Sequence, residues 1–262
     1  MSHMSAIGFA VTPEELQQLV LHGAQQAARF DTAVGAYLKW EVGAGVELWL
    51  QVNAANEIVG CNPHYAGSGR LGAAIIETVA APGRPLDGHG FGWAAPSDPA
   101  NPYSGIHAFA ANLPDFAYVD ERILIPPVVT LQVAAFAAGI ASFPTELAFV
   151  ESEWGQKIGA QSATETWQQL EVDGLPQPEV FLSGWVGASE TLINPVTEQQ
   201  FHALTLRTEA GTIDVVCDLQ TAPRRPAAGT VAAGSFWLSA RAAVELPEPR
   251  QPSPFARARA HG

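Results

Sequence analysis

Apolar positions recur at three- and four-residue spacing only near the start of the chain, where Leu16, Leu19, Val20, Gly23, Ala24, Ala27 and Ala28 form one stripe. Thr12 precedes the stripe as a cap, Pro13 suits a first turn, and Glu14 and Glu15 complement the positive end of a helix. These positions predict one helix ending near Phe30 and packed on a sheet. From Tyr37 the period changes to two. Val46, Leu48, Leu50 and Val52 alternate with Glu47, Trp49 and Gln51, the pattern of a strand with one buried and one polar face. Asn53-Ala-Ala-Asn56 turns that strand, residues 57–61 return as its partner, and a further strand is expected over 73–79.

Residues 82–105 break the pattern. They are dense in Gly and Pro, carry His89 and Trp93, and read as irregular chain. A loop that long inside a compact domain is either functional or poorly ordered, which makes His89 and Trp93 candidate contact residues. The apolar run over 128–143 has 16 residues, fewer than the roughly 18–20 of a membrane-spanning helix, and is expected in the core as helix or strand. Residues 151–178 read as a connector with room for one short helix.

Beyond that connector four strands are expected, over 179–189, 201–208, 212–218 and 230–244, with turns at Asn194-Pro195, Glu209-Ala-Gly211 and residues 223–229. Gly184 and Gly187 lie inside the first strand and Gly234 inside the fourth, and interior glycines mark places where a sheet bulges or curls. A glycine-kinked first strand, a meander and a long last strand able to split in two resemble the oligonucleotide/oligosaccharide-binding (OB) barrel. The resemblance covers about 70 residues, rests on topology and has no sequence motif. The expected architecture is therefore α+β and strand-rich: a helix and an antiparallel sheet in residues 1–175, an OB-like small β-barrel in 176–246, and a disordered basic tail in 247–262. Alternation places Phe181 and Trp185 on one face of the first strand and Trp237 and Arg241 on one face of the last. If the aliphatic faces fill a barrel, these four are surface groups able to stack on a partner.

Composition narrows the function. The net charge is −13, with 18 acids against 6 bases in residues 1–175 and 8 against 7 in the rest. Nucleic acids and anionic membranes are bound through Lys and Arg, so neither is an expected partner, and single-stranded nucleic acid on the barrel is the weaker alternative. Two lysines against 11 arginines, with much Ala, Gly and Pro, suggest a GC-rich bacterial source. Cys61 and Cys217, far apart, suit buried thiols in a reducing, cytoplasmic setting.

Three patterns hint at chemistry. Gly67-Ser-Gly69-Arg-Leu-Gly72 matches Gly-x-Gly-x-x-Gly, but Asn62-Pro63-His64-Tyr65 precedes it and Pro82 closes the apolar run after it, so the strand–turn–helix frame of a dinucleotide site is missing. Cys61, His64, His89 and His107, with Asp87, are weak metal-ligand candidates, since only Cys61-x-x-His64 has ligand spacing. They support a metal-assisted hydrolase as an alternative function. No nucleophile elbow, metalloprotease helix or phosphate loop is present. The expectation is a non-enzymatic binding or protein-interaction module without a cofactor, whose contact residues are Phe181, Trp185, Trp237 and Arg241, then His89 and Trp93.

Overall fold

The structure, a computed structural model, describes residues 3–122, 128–172 and 174–243, except for the side chain of Leu175. Helix α1 (Pro13–Ala24) begins where the sequence predicts. Its Thr12 hydroxyl accepts from the Glu15 N–H at 3.3 Å while the Glu15 carboxylate accepts from the Thr12 N–H at 2.9 Å, a reciprocal cap. The helix ends short of Phe30, because β1 (Ala28–Thr32) takes Phe30 into a sheet. With β2 (Gly35–Gly43), β3 (Val46–Val52) and β4 (Ile58–Tyr65), β1 forms a four-stranded antiparallel sheet in chain order.

Every residue of β3 is buried, including Glu47, Trp49 and Gln51. Alternation assigns the two faces of β3 correctly but not their surroundings. Leu48 and Leu50 pack beneath α1 and the residues before it, whereas Trp49 faces a second apolar core shared with the larger sheet. Glu47 is polar because it is paired inside the protein, not because it meets water.

The larger sheet begins with β5 (Leu71–Ala81), β6 (Arg84–Ala94) and β7 (His107–Asn112), followed by α2 (Phe116–Asp120) and β8 (Val128–Phe143). A short helix, α3 (Glu146–Val150), precedes the expected connector, which holds one short helix, α4 (Glu153–Ile158), and β9 (Trp167–Val172). Then come β10 (Leu175–Ile193), β11 (Gln200–Thr208), β12 (Gly211–Asp218) and β13 (Val231–Ala242). Nine strands join in the order β11-β12-β8-β5-β6-β7-β13-β10-β9, and β10–β11, β12–β5 and β8–β13 pair as well.

The expected loop over 82–105 is corrected here, since β6 fills much of it and pairs with both β5 and β7. Glycine makes this strand possible. A Cβ at Gly92 would lie 2.0 Å from the Ala74 carbonyl oxygen, so only a bare Cα lets β6 approach β5 this closely. His89 and Trp93 are thus strand residues.

The last four strands fall where alternation puts them, with register shifts between Val186 and Ser189 and between Ser235 and Phe236, beside Gly187 and Gly234. One element differs from the expectation. β13 does not split in two; instead β8 pairs antiparallel with β13 and parallel with β12. The pairings β8–β13, β13–β10, β10–β11, β11–β12 and β12–β8 return to their starting strand. Residue 176, the expected domain boundary, lies within β10, and strands from both sides of it pair in one sheet. The basic tail over 247–262, Val244, and Pro126 and Pro127 lie outside the described residues. Among the described residues no helix is long and apolar enough to cross a membrane.

Candidate functional site

The outer face of β13 carries Val231, Ala233, Ser235, Trp237 and Ser239 in turn, and three different parts of the chain cover it. At the Ser239 end the cover is β4. His64 accepts from the Ser239 hydroxyl at Nδ1, 2.9 Å away, and donates from Nε2 to the Gln132 carbonyl oxygen. The Gln132 amide nitrogen donates to Asp214 at 2.7 Å and to the Tyr65 carbonyl at 2.9 Å, which fixes its orientation and so the His64 tautomer. Serine beside a neutral imidazole is the arrangement of an activated nucleophile. Both residues are 0% exposed, however, and no reactant reaches them. Burial depresses the His64 pKa to about 4, against the pull of Glu47, so the ring stays neutral.

Asp214 explains the glycine-rich turn. The Gly69 N–H donates to both carboxylate oxygens, at 3.0 and 2.9 Å, and a Cβ at Gly67 would lie 2.3 Å from the Asp214 Cγ. The loop that resembles a phosphate cradle therefore holds the protein's own carboxylate. Burial still keeps the Asp214 carboxyl above its usual range.

A charged cluster extends this closed region. Glu47 takes Lys39 at 2.7 Å, Arg241 at 3.3 Å and the Trp49 indole N–H at 3.0 Å, and Arg241 also reaches Asp115 at 3.5 Å. The Arg241 guanidinium lies 4.3 Å over the Trp49 ring. Burial raises the Glu47 pKa, but Arg241, His64 and Lys39 outweigh it and hold the carboxyl below its usual range. For Asp115 burial wins over Arg241, and the carboxyl sits above its usual range.

At the opposite end, α3 and α4 lie over Val231 and Ala233. Thr145 caps α3 and Ser152 caps α4, each through a hydroxyl accepting a backbone N–H at 3.1 Å. Phe149, Val150, Trp154 and Ile158 pack there with Phe143, Ala163, Phe181 and Trp185.

Between the two covers the face is open. Phe181 stands opposite Ser235, which is exposed, and Gly139 of β8 flanks Ser235 on the other side with no atom within 4 Å of where its Cβ would be. Glu153, Trp154, Lys157 and Ile158 form the wall of a groove of about 560 Å³ over this floor. The Trp154 and Phe181 rings are 5.6 Å apart and inclined at 46°. The next residue along, Trp237, is 9% exposed, because the His3 ring stacks on it at 4.3 Å and Phe136 meets its edge at 5.3 Å.

Of the expected contact residues the structure brings Phe181 to the groove, packs the half-buried Trp185 in the adjoining apolar cluster, and places the others elsewhere. Trp237 is covered, Arg241 is engaged by two carboxylates and a ring, and the half-buried His89 and Trp93 are on β6. Trp154 escaped the sequence reading, although the Ser152 cap and the four-residue step from Trp154 to Ile158 signal a short amphipathic helix.

The metal candidates do not converge. Cys61 and His64 are three apart on β4 and point to opposite faces, while His89 and His107 are five pairs apart on the β6–β7 ladder, about 17 Å at about 3.4 Å per residue. Among the described residues no three His, Cys, Asp or Glu side chains stand together to hold a metal ion. Compared with family models, with curated proteins and with solved structures, the chain matches none of them.

Proposed function

We propose that the protein is a non-enzymatic binding module that takes a protein partner in the groove between α4 and the β10–β13 floor. The observation that carries this reading is the gap in the cover of β13. A face sealed on both sides by buried side chains is left open at Ser235, and the opening is walled by aromatic rings. Trp and Phe present large contact area at little cost in side-chain entropy, and such rings anchor interfaces. The five-strand circuit with its parallel β12–β8 pair supports an OB-like reading of the scaffold, with β8 as the fifth strand. Free Cys61 and Cys217 suit a reducing compartment such as the cytoplasm. A hydrolase reading has less support, since the Ser239–His64 pair is sealed and the candidate metal ligands are scattered. Nucleic acid is disfavoured by the net charge of −13.

Selection of peptides from a displayed random library on the immobilised full chain tests the reading. Selected peptides are expected to lose at least tenfold in affinity on Trp154→Ala and on Ser235→Arg, which fills the groove from an exposed position. Equal binding to the unaltered chain and to Ser235→Arg would remove the groove as the contact surface.

A further inference from the structure

We infer that the groove is a docking site for the chain's own C-terminal segment, residues 244–262, an inference that rests on the groove being the binding surface. Three properties of the chain converge on this occupant. The first is reach. β13 carries Ser235 in the groove floor and makes its last ladder pair at Ala242; the Ala243 N–H then bonds to the Thr130 carbonyl at 2.9 Å. The eight residues from Ser235 to Ala243 span about 27 Å at about 3.4 Å per residue. The 12 residues from Ala243 to Phe255 reach about 37 Å at the roughly 3.1 Å per residue of a proline-rich chain. The return is therefore possible with about 10 Å to spare for a path around the covered Trp237.

The second is side-chain chemistry. Leu246-Pro-Glu-Pro-Arg-Gln-Pro-Ser-Pro-Phe255 offers four prolines and a terminal phenyl ring, and proline-rich segments dock in grooves lined by aromatic rings. Trp154 and Phe181 supply such a lining, with Ile158 beside them. The third is charge. Arg250, Arg257 and Arg259 follow Glu248 with no further acid, whereas residues 146–158 hold Glu146, Glu151 and Glu153 against Lys157 alone. Joined in one chain, the two also meet at an effective concentration on the order of millimolar, which populates a contact too weak to form between separate molecules. A partner of the groove then competes with this segment, and the affinity measured for the partner depends on residues that do not touch it.

A nitroxide on Ser253→Cys in the ¹⁵N-labelled full chain tests the inference, with the indole N–H signal of Trp154 as the readout and that of the buried Trp49 as the reference. Identically treated unaltered chain accounts for any label on Cys61 or Cys217. The Trp154 signal is expected to be at least twofold weaker in the oxidised than in the reduced form, and the loss is expected to vanish when Ser235→Arg is added. Equal Trp154 intensity in the two forms would overturn the inference. So would a loss that arises only when ¹⁵N chains without label are mixed with labelled unenriched chains, which would assign the segment to a second copy. If the nitroxide leaves Trp154 untouched but library peptides still need an open groove, the inference falls and the groove reading stands; if the peptides ignore the groove too, both fall.

Discussion

At its Ser239 end, β13 lies under β4, with His64, Gln132 and Asp214 linked in one chain of hydrogen bonds and Glu47 shared by two cations. At its Ser235 end the same strand lies beside two helices of five and six residues that stop before they cover Phe181. The sheet is one object, so the difference is in the covers. The closed end commits its polar groups to one another and has little to offer a ligand. The open end leaves Glu153, Lys157 and Ser235 exposed to water beside two half-buried aromatic rings. Polar side chains at the closed end are spent on one another, whereas those that line the groove face water.

The comparison breaks most sharply at Glu47. Glu47→Ala leaves Lys39 and Arg241 without their shared carboxylate and is expected to cost about 3 kcal/mol in urea unfolding, since removing one partner of a buried ion pair strands the others. A loss below about 1 kcal/mol would mean that packing, not charge, closes that end.

Acid tests the same region. The folded state holds His64 at about pKa 4 and the unfolded chain near 6.5, so the folded state binds fewer protons between these values. Stability is undiminished above pH 6.5 and falls as pH drops toward 4, by on the order of 3 kcal/mol for a depression of this size. Asp115 and Asp214, whose carboxyls are held above their usual range, act in the opposite sense in acid. The comparison that isolates His64 is therefore unfolding of the unaltered chain and His64→Gln at pH 7 and pH 5, where a flatter profile is expected for the variant.

Gly67→Ala pushes a methyl group into Asp214 and is expected to cost about 2 kcal/mol with no change in peptide binding at the groove. Ser235→Arg sharpens the contrast from the other side: its unfolding free energy is expected to stay within about 0.5 kcal/mol of the unaltered chain while groove binding is lost.

Local signals carried much of this fold. The Thr12 cap, the β3 strand and the Glu209-Ala-Gly211 turn are each written in a few adjacent residues and each is present, although β3 is buried on both faces rather than on one. What escaped was set by tertiary partners. Glu47 looks solvent-facing until a second sheet covers it, and Gly88 and Gly92 look like loop until β5 is seen to need their bare backbone. Glycines at 67 and 69 suggest a ligand's phosphate, and only Asp214, about 145 residues on, identifies the anion. Of the groove, alternation pointed to Phe181, but nothing local told that His3 would cover Trp237 while leaving Ser235 bare.

β8 sets the order in which this molecule can assemble. It leaves the ribosome roughly 80 residues before β12 and 100 before β13; β5, made earlier, pairs only with its Val128–Leu131 end, and until the later strands arrive residues 132–143 have no ladder partner on either edge. Contacts of such sequence separation slow folding. The nascent chain is thus obliged to keep β8 from pairing with other copies of itself until its last strands emerge, a demand that falls on synthesis rather than on the finished protein.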